Sequence, residues 1–138
     1  MLDLYVDTSV WVAFVDGTDP LHGRAKSIIK GHRSYTMVSN ELILSETVTL
    51  LRREVGPDVA AAFGEDFLDA KTGVLLATME QDWRQALRII KKYREHKISA
   101  ADATSAVMIR RLKIEKAASF DKHFRILLPD IEVLGLPG

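Results

Sequence analysis

The sequence contains no cysteine, which excludes a disulfide framework and any metal site built on thiolates. It has no apolar run long enough to cross a membrane, and Met1-Leu2-Asp3 lacks the basic start of a signal peptide. An excess of one charge is also absent, since 19 basic residues balance 19 acidic ones. This balance argues against coating nucleic acid through charge alone, although a local basic rim would still hold a short segment. We therefore expect a cytoplasmic protein without a membrane partner.

Strand-like and helix-like segments alternate along the 138 residues, which we expect to form one domain spanning residues 1–138. β-Branched and aromatic residues indicate strands at residues 2–6, 34–39, 73–78, 117–120 and 131–134. This alternation predicts an α/β fold of three layers, with a mostly parallel five-stranded sheet flanked by helices. Asp19 is expected to cap a helix with Pro20 in its first turn. The predicted buried face of a later helix comprises Trp83, Ala86, Leu87, Ile90 and Tyr93.

Asp7 directly follows the first predicted strand and precedes two small hydroxylated residues, Thr8 and Ser9. A carboxylate at that place lies at the C-terminal edge of the sheet, where open parallel α/β proteins bind ligands. Asp is also a common N-cap residue, so capping of the next helix is the structural alternative. A functional role for Asp7 therefore depends on whether other acids converge on the same edge.

Glu46 lies between Leu42 and Leu50 along one line of a predicted helix, so it interrupts an apolar arc. A buried carboxylate without a partner is costly, and this position therefore needs a compensating group. The alternative is an ordinary glutamate at the rim of the helix that reaches Arg53.

Two further acids stand at the predicted ends of elements. Asp102 comes three residues after Ser99, which fits a capping box as well as a functional site. Asp121 follows the fourth predicted strand as Asp7 follows the first, and helix capping is again the alternative. In a doubly wound sheet the first and fourth strands can be neighbours across the switch point, which would bring Asp7 and Asp121 together.

Four clustered carboxylates repel one another, and a divalent cation is the usual resolution. Oxygen ligands without cysteine favour Mg²⁺ or Mn²⁺ over Zn²⁺. None of the four histidines has a partner at metal-ligand spacing, so no histidine is expected in the site. Thr8, Ser9 and Ser119 are candidates for orienting the carboxylates through hydrogen bonds.

The sequence resembles the PIN-domain ribonucleases, of the kind found as VapC-type toxins in bacterial and archaeal toxin–antitoxin pairs. The pieces that carry the resemblance run in the family's order over nearly the whole chain. They are Asp7-Thr8-Ser9, His22 with Ala25, Glu46, Asp102-Ala103, and Ser119-Phe120-Asp121-Lys122-His123-Phe124. The family usually has threonine where this chain has Ser119, and the hydroxyl is kept. Residues 58–97 carry no family signature.

The resemblance implies a nuclease that hydrolyses phosphodiester bonds of single-stranded or structured RNA with Mg²⁺ or Mn²⁺. The residues that would hold the cation are Asp7, Glu46, Asp102 and Asp121. The resemblance also implies a homodimer and an inhibitory antitoxin protein as partners. The basic residues that would contact RNA phosphates, or else lie on solvated helix faces, are Arg110, Arg111, Lys113, Lys116, Lys122 and Arg125.

Other classes of protein share parts of this pattern. A phosphatase of the haloacid dehalogenase type needs a second aspartate two residues after the first, where this chain has Ser9. A receiver-type signalling domain needs adjacent acids after its first strand and a central phosphoacceptor, and neither is present. Two alternatives stay open, namely a stand-alone PIN nuclease in RNA processing and a catalytically inactive PIN-like binding module.

Overall fold

The computed structural model describes residues 2–137, and within that range the chain forms five strands and seven helices. The strands are β1 (Leu4–Val6), β2 (Met37–Asn40), β3 (Val74–Leu76), β4 (Lys116–Ala118) and β5 (Glu132–Leu134). The helices are α1 (Thr8–Val15), α2 (His22–Gly31), α3 (Glu41–Glu54), α4 (Pro57–Leu68), α5 (Glu80–Lys92), α6 (Ala100–Arg111) and α7 (Lys122–Leu127). No helix among these residues is both long and apolar enough to cross a membrane.

The five strands form one sheet in the order β3-β2-β1-β4-β5, and all four strand pairs are parallel. β1 lies at the centre, where Tyr5 is in register with Val38 of β2 and with Ala117 of β4. The chain runs outward from β1 to β3 and then returns to β4 on the other side of β1. The junction of β1 and β4 is therefore the topological switch point of the sheet. The predicted α/β fold with a parallel five-stranded sheet is confirmed.

Helices cover both faces of the sheet, because right-handed crossovers to the two sides of β1 leave their helices on opposite faces. The helix α1 packs against α2 and α3, and α3 packs against α4, while α5, α6 and α7 form a second packed group. Between these layers β1 is completely buried at Leu4, Tyr5 and Val6. A strand enclosed on both sides supports a rigid edge on which site residues can be placed.

An aromatic cluster fixes α1 against the sheet. The ring of Trp11 makes edge-to-face contacts with Phe63 and Phe67 of α4, each with ring centroids 5.7 Å apart. Its indole Nε1 donates a hydrogen bond of 2.9 Å to the Ser39 hydroxyl of β2, which in turn donates to the Val6 carbonyl. Large buried rings with a satisfied polar atom hold a helix in one orientation. The start of α1 is thereby fixed beside the end of β1.

The helix α6 packs closely against the sheet, and most of the side chains in its first half are small. Its residues from Ala101 to Ile109 are all buried. The Ser105 hydroxyl lies 2.7 Å from the Tyr5 hydroxyl of β1, and Asn40 at the end of β2 donates to Thr104 at 3.1 Å. Buried hydrogen bonds of this kind favour one alignment of helix and sheet.

The strand boundaries differ from the sequence-based prediction by up to three residues, and the start of α2 differs as well. β4 ends at Ala118, so Ser119 and Phe120 separate it from Asp121. The helix α2 begins at His22 with Leu21 at its N-cap, and the Asp19 carboxylate instead accepts the Leu21 backbone N–H at 2.8 Å. Asp19 therefore stabilises the turn that precedes the helix.

The buried face of α5 also differs from the prediction. Leu87, expected in the core, is 52% exposed, whereas Asp82 is completely buried. Arg111 donates two hydrogen bonds of 2.8 and 2.9 Å to Asp82, and the Met79 backbone N–H donates a third. Burial by itself would raise the pKa of Asp82, but these hydrogen bonds outweigh it and hold the pKa below its ordinary value. This ion pair ties α5 to α6, and Arg111 is therefore not a free contact for RNA.

Candidate active site

A cavity of about 540 Å³ opens at the C-terminal ends of β1 and β4, at the switch point of the sheet. All four predicted acids line it, which are Asp7, Glu46, Asp102 and Asp121. The hydroxyl-bearing residues of the lining are Thr8, Ser9, Ser45, Thr49 and Ser99. The four carboxylates, which come from separate segments of the sequence, thus meet at one cavity.

Asp7 is held at the centre of this site. It is 4% exposed, and its backbone N–H donates to the Ala118 carbonyl at 2.9 Å, which joins the ends of β1 and β4. Its Oδ2 accepts hydrogen bonds from the Ser9 hydroxyl at 2.7 Å and from the Ser119 hydroxyl at 2.8 Å. The same oxygen accepts the Ser9 backbone N–H at 3.4 Å, so Asp7 also caps α1. Asp7 therefore caps α1, as the structural alternative predicted, and also lines the cavity.

The pKa of Asp7 is raised from 3.8 to about 6, chiefly by burial and also by the nearby charges of Asp102 and Asp121. The hydrogen bonds from Ser9 and Ser119 act in the opposite direction. The sequence predicted a raised pKa from repulsion among the acids, whereas loss of hydration is the larger cause. The metal-free protein therefore carries a costly charge at this position.

Glu46 reaches the cavity from the middle of α3. It is exposed rather than buried, so the predicted conflict with an apolar arc does not arise. The Thr8 hydroxyl donates to its Oε1 at 3.0 Å, while Arg53 pairs with the neighbouring Glu54. The pKa of Glu46 is raised by partial loss of hydration and by the charges of Asp102 and Asp121. Glu46 therefore lies at the rim of the helix, as the alternative held, but it contacts Thr8 and not Arg53.

Asp102 belongs to the capping box of α6 and to the cavity at once. Its backbone N–H donates to the Ser99 hydroxyl at 3.0 Å, and its Oδ2 accepts the Ser99 backbone N–H at 3.3 Å. The residue is 6% exposed. Its pKa is raised by burial and by the charge of Asp121, and hydrogen bonds from Ser99 and His123 act against this.

Asp121 caps α7, and its Oδ1 accepts the His123 backbone N–H at 2.9 Å. Its own backbone N–H donates to the Ser119 hydroxyl at 2.9 Å. Ser119 therefore links two of the acids, because its hydroxyl also donates to Asp7. Thr8, Ser9 and Ser119 all contact the carboxylates that they were expected to orient, or the backbone that carries them.

Each of the four carboxylates has one oxygen held by the protein and one oxygen left over. Hydrogen bonds among residues 2–137 reach Asp7 Oδ2, Glu46 Oε1, Asp102 Oδ2 and Asp121 Oδ1. Every buried side-chain nitrogen or oxygen in this range has a partner. The second oxygens of Asp7, Asp102 and Asp121 have no partner among these residues and are therefore not sealed from solvent, and Glu46 is exposed. All four residues line the cavity. Several oriented carboxylate oxygens around a polar cavity suit the oxygen-binding divalent cations.

Two ionisable residues of the cavity, His123 and Lys97, were not among the site residues predicted from the sequence. His123 Nδ1 lies 3.2 Å from Asp102 Oδ2 and 3.4 Å from Asp121 Oδ1. His123 was left out of the predicted site because no second histidine stands at metal-ligand spacing, although its position two residues after Asp121 was a visible signal. Lys97 is the one Lys or Arg side chain among the described residues that line the cavity. No local pattern distinguished it from the other cations around α5.

The six basic residues predicted to contact RNA do not line the cavity. Arg110 forms two hydrogen bonds with Asp130, and Arg125 donates to the carbonyls of Ile131 and Pro137. The side chains of Arg110 and Arg125 therefore form their contacts outside the cavity that holds the four carboxylates. The prediction of a basic rim built from them is not supported at the cavity itself.

The fold and the site thus define a class of α/β proteins that have a parallel sheet and an acidic cavity at its switch point. Residues 4–127 match the family model of the PIN domain, and the chain belongs to the PIN domain family. The resemblance inferred from the sequence is confirmed.

Two curated relatives come from Mycobacterium tuberculosis. The chain is 34% identical over 121 residues to the 23S rRNA-specific endonuclease VapC20, which covers 88% of this chain and 91% of VapC20. It is 28% identical over 127 residues to ribonuclease VapC26, with 91% and 93% covered. A crystal structure of VapC20, described as a sarcin-ricin loop cleaving toxin, superposes with a TM-score of 0.81 at 28% identity, covering 90% of this chain and 94% of that one.

The raised pKa of Asp7 predicts a pH dependence of the metal-free protein. Because its folded pKa of about 6 exceeds the unfolded value of 3.8, unfolding free energy should fall as pH rises through this window. In EDTA at pH 7.5, Asp7→Asn should be more stable than wild type by up to about 3 kcal/mol, and its pH slope should be smaller. Denaturant unfolding at pH 5 and pH 7.5 measures both quantities.

The matched control is Asp130→Asn, at an exposed carboxylate that pairs with Arg110. The hydrogen bonds from Arg110 lower the pKa of Asp130, so removing the Asp130 charge should not stabilise the protein at pH 7.5. An Asp7→Asn variant that is less stable than wild type in EDTA at that pH would contradict the assigned electrostatics.

Proposed function

We propose that this protein is an endoribonuclease that hydrolyses phosphodiester bonds of RNA with Mg²⁺ or Mn²⁺ at Asp7, Glu46, Asp102 and Asp121. The observation that carries the proposal is the set of four carboxylates at one cavity, each with one oxygen held and one accessible. The two curated relatives, which are named as ribonucleases, support the same reaction.

The hydroxyl groups of the site hold the acids in the geometry that catalysis needs. Ser9 and Ser119 fix one oxygen of Asp7, and Thr8 fixes one oxygen of Glu46. A divalent cation bound there supplies positive charge that stabilises the developing negative charge on phosphate oxygens and makes water more nucleophilic at neutral pH. Fixed ligands reduce the reorganisation required during the reaction.

Lys97 is the residue we assign to a phosphate of the RNA substrate. Four carboxylates give the cavity a negative charge that repels the RNA polyanion. Among the described residues, Lys97 is the one lysine or arginine that lines the cavity and offsets this charge. Contacts between lysine and phosphate contribute to affinity without reading sequence.

The substrate class we propose is structured RNA. Relative VapC20 is named for 23S rRNA, and its crystal structure is described as that of a sarcin-ricin loop cleaving toxin. The identity of 34% over most of both chains supports a similar substrate. A role as the toxin of a toxin–antitoxin pair is favoured over stand-alone RNA processing for the same reason.

We expect the purified protein to cleave RNA in Mg²⁺ or Mn²⁺ and to be inactive in EDTA. Asp7→Asn and Asp102→Asn should each lower the rate by orders of magnitude, because each removes charge that holds the cation. Asp130→Asn, away from the cavity, should keep the wild-type rate. Single-turnover cleavage of a labelled RNA measures these rates, and full activity of either active-site variant would remove that residue from the proposal.

Substitution of Lys97 tests its contact with phosphate. In an Asp102→Asn background, Lys97→Gln should weaken RNA binding and reduce the slope of log affinity against log salt by about 1. Lys113→Gln is the matched control, since Lys113 was a predicted RNA contact but does not line the cavity. Equal losses of affinity and equal slopes for both variants would contradict a specific role for Lys97.

We further propose a homodimer and an antitoxin that inserts an Arg or Lys side chain between the carboxylates. Bidentate pairing of arginine with carboxylate would satisfy the accessible oxygens and neutralise their repulsion. Light scattering over a range of concentrations should give the mass of a dimer, and a monomer mass throughout would contradict this part. Asp102→Asn should weaken binding of an inhibitory partner, and unchanged affinity would argue against insertion into the cavity.

A further inference from the structure

We propose that His123 binds the catalytic cation through its imidazole Nδ1 together with Asp102 and Asp121, which makes the centre a mixed nitrogen–oxygen site that prefers Mn²⁺ to Mg²⁺. This inference rests on the proposed function, because it concerns the cation of the same cavity. It adds a ligand that is not a carboxylate and thereby predicts which of the two ions the protein selects.

The separations between the three side chains match those of ligands that share one ion. One ligand atom from each of Asp102, Asp121 and His123 lies within 4.8 Å of the other two. Two ligands at right angles, each about 2.1 Å from an ion, are about 3 Å apart. The Nδ1 distances of 3.2 Å to Asp102 Oδ2 and 3.4 Å to Asp121 Oδ1 are close to this value. Each of these oxygens accepts one backbone N–H and has a second lone pair that an ion can use.

The same distances are long for an ion pair formed for its own sake. A charge-assisted N–H···O bond between imidazolium and carboxylate usually measures about 2.7–2.9 Å. Here Nδ1 stands between two acceptors and reaches neither at that distance. The alternative is that Nδ1–H simply donates to Asp102 and positions its carboxylate.

The local fold holds the three groups before any ion arrives. Asp121 caps the turn that carries His123, and Ser99 holds Asp102 in the first turn of α6. The side chain of His123 is 15% exposed and lies beside the ring of His96, with centroids 6.5 Å apart. A ligand constrained in this way loses little freedom when it binds a metal.

A nitrogen ligand changes the preference of the site among divalent ions. Mg²⁺ is bound in proteins almost entirely by oxygen, whereas imidazole suits first-row transition ions. An all-carboxylate site would discriminate weakly between Mg²⁺ and Mn²⁺. A neutral imidazole in the ligand set therefore favours Mn²⁺.

Pulsed electron paramagnetic resonance of the full-length protein with one equivalent of Mn²⁺ tests the proposal directly. The wild type should show modulation from a directly bound ¹⁴N nucleus, and His123→Asn should lose it. Calorimetric titration should show that the ratio of Mn²⁺ to Mg²⁺ affinity falls by about tenfold in His123→Asn. Asparagine is chosen because its amide lies near the position of Nδ1 and still donates a hydrogen bond. His96→Asn is the matched control and should keep both the nitrogen signal and the ratio.

The outcomes separate this inference from the proposed function. Tight Mn²⁺ binding by wild type without a ¹⁴N signal overturns ligation by His123 and leaves the carboxylate site intact. A ¹⁴N signal and an affinity ratio that survive in His123→Asn also overturn it. If wild type binds neither ion, the proposed metal-dependent function fails, and the inference fails with it. The absence of a ¹⁴N signal in the wild type overturns the inference even if the variant does not fold.

Discussion

The repulsion among carboxylates at the junction of β1 and β4 is the constraint on which the site depends. Asp7 is buried where the two strands meet, and its backbone N–H is bonded to β4. Its charge is opposed by loss of hydration and by two further aspartates, so the pKa rises to about 6. The fold tolerates this cost because hydroxyl groups, strand pairing and helix caps fix the positions of the acids. A divalent cation would convert the same arrangement from unfavourable to favourable.

Helix capping is the means by which this fold positions its acids. Asp7 caps α1, Asp121 caps α7, and Asp102 completes the capping box of α6. Capping uses one carboxylate oxygen and leaves the other accessible, so a stabilising role and a ligand role are compatible in one residue. Helix capping was therefore a correct interpretation of Asp7, Asp102 and Asp121, and it does not exclude a ligand role for any of them. The convergence of several caps on one cavity is what distinguishes the site.

The fold and the four acids could be predicted because their signals are local. Alternating strands and helices indicate a parallel sheet, and Asp7 and Asp121 each follow a strand that borders the switch point. The pairing of Asp82 with Arg111 could not be predicted, because it joins residues 29 positions apart on different helices. His123 was missed because its partners are a capping aspartate and a residue of another helix, so no histidine spacing marked it.

Basic residues show the limit of composition as a guide. Neutral net charge and a run of cations near the C-terminal third suggested a rim for RNA, yet Arg110 and Arg111 pair with acids of their own. An acidic partner that is distant in sequence can pair with a cation and make it unavailable to RNA, and the sequence gives no local sign of such a pair. Lys97, in contrast, is positioned at the cavity by the loop between α5 and α6. Pairing within the fold therefore decides which of these cations stay available for an RNA substrate.

Anomalous diffraction from crystals soaked in Mn²⁺ tests the central claim most directly, because it locates the ion without reference to activity. The account predicts an anomalous peak in the cavity, within about 2.0–2.3 Å of carboxylate oxygens from Asp7 and Asp102. Crystals of Asp102→Asn should lose most of that peak. A wild-type cavity with no peak at a saturating Mn²⁺ concentration, or an ion bound elsewhere, would contradict the account.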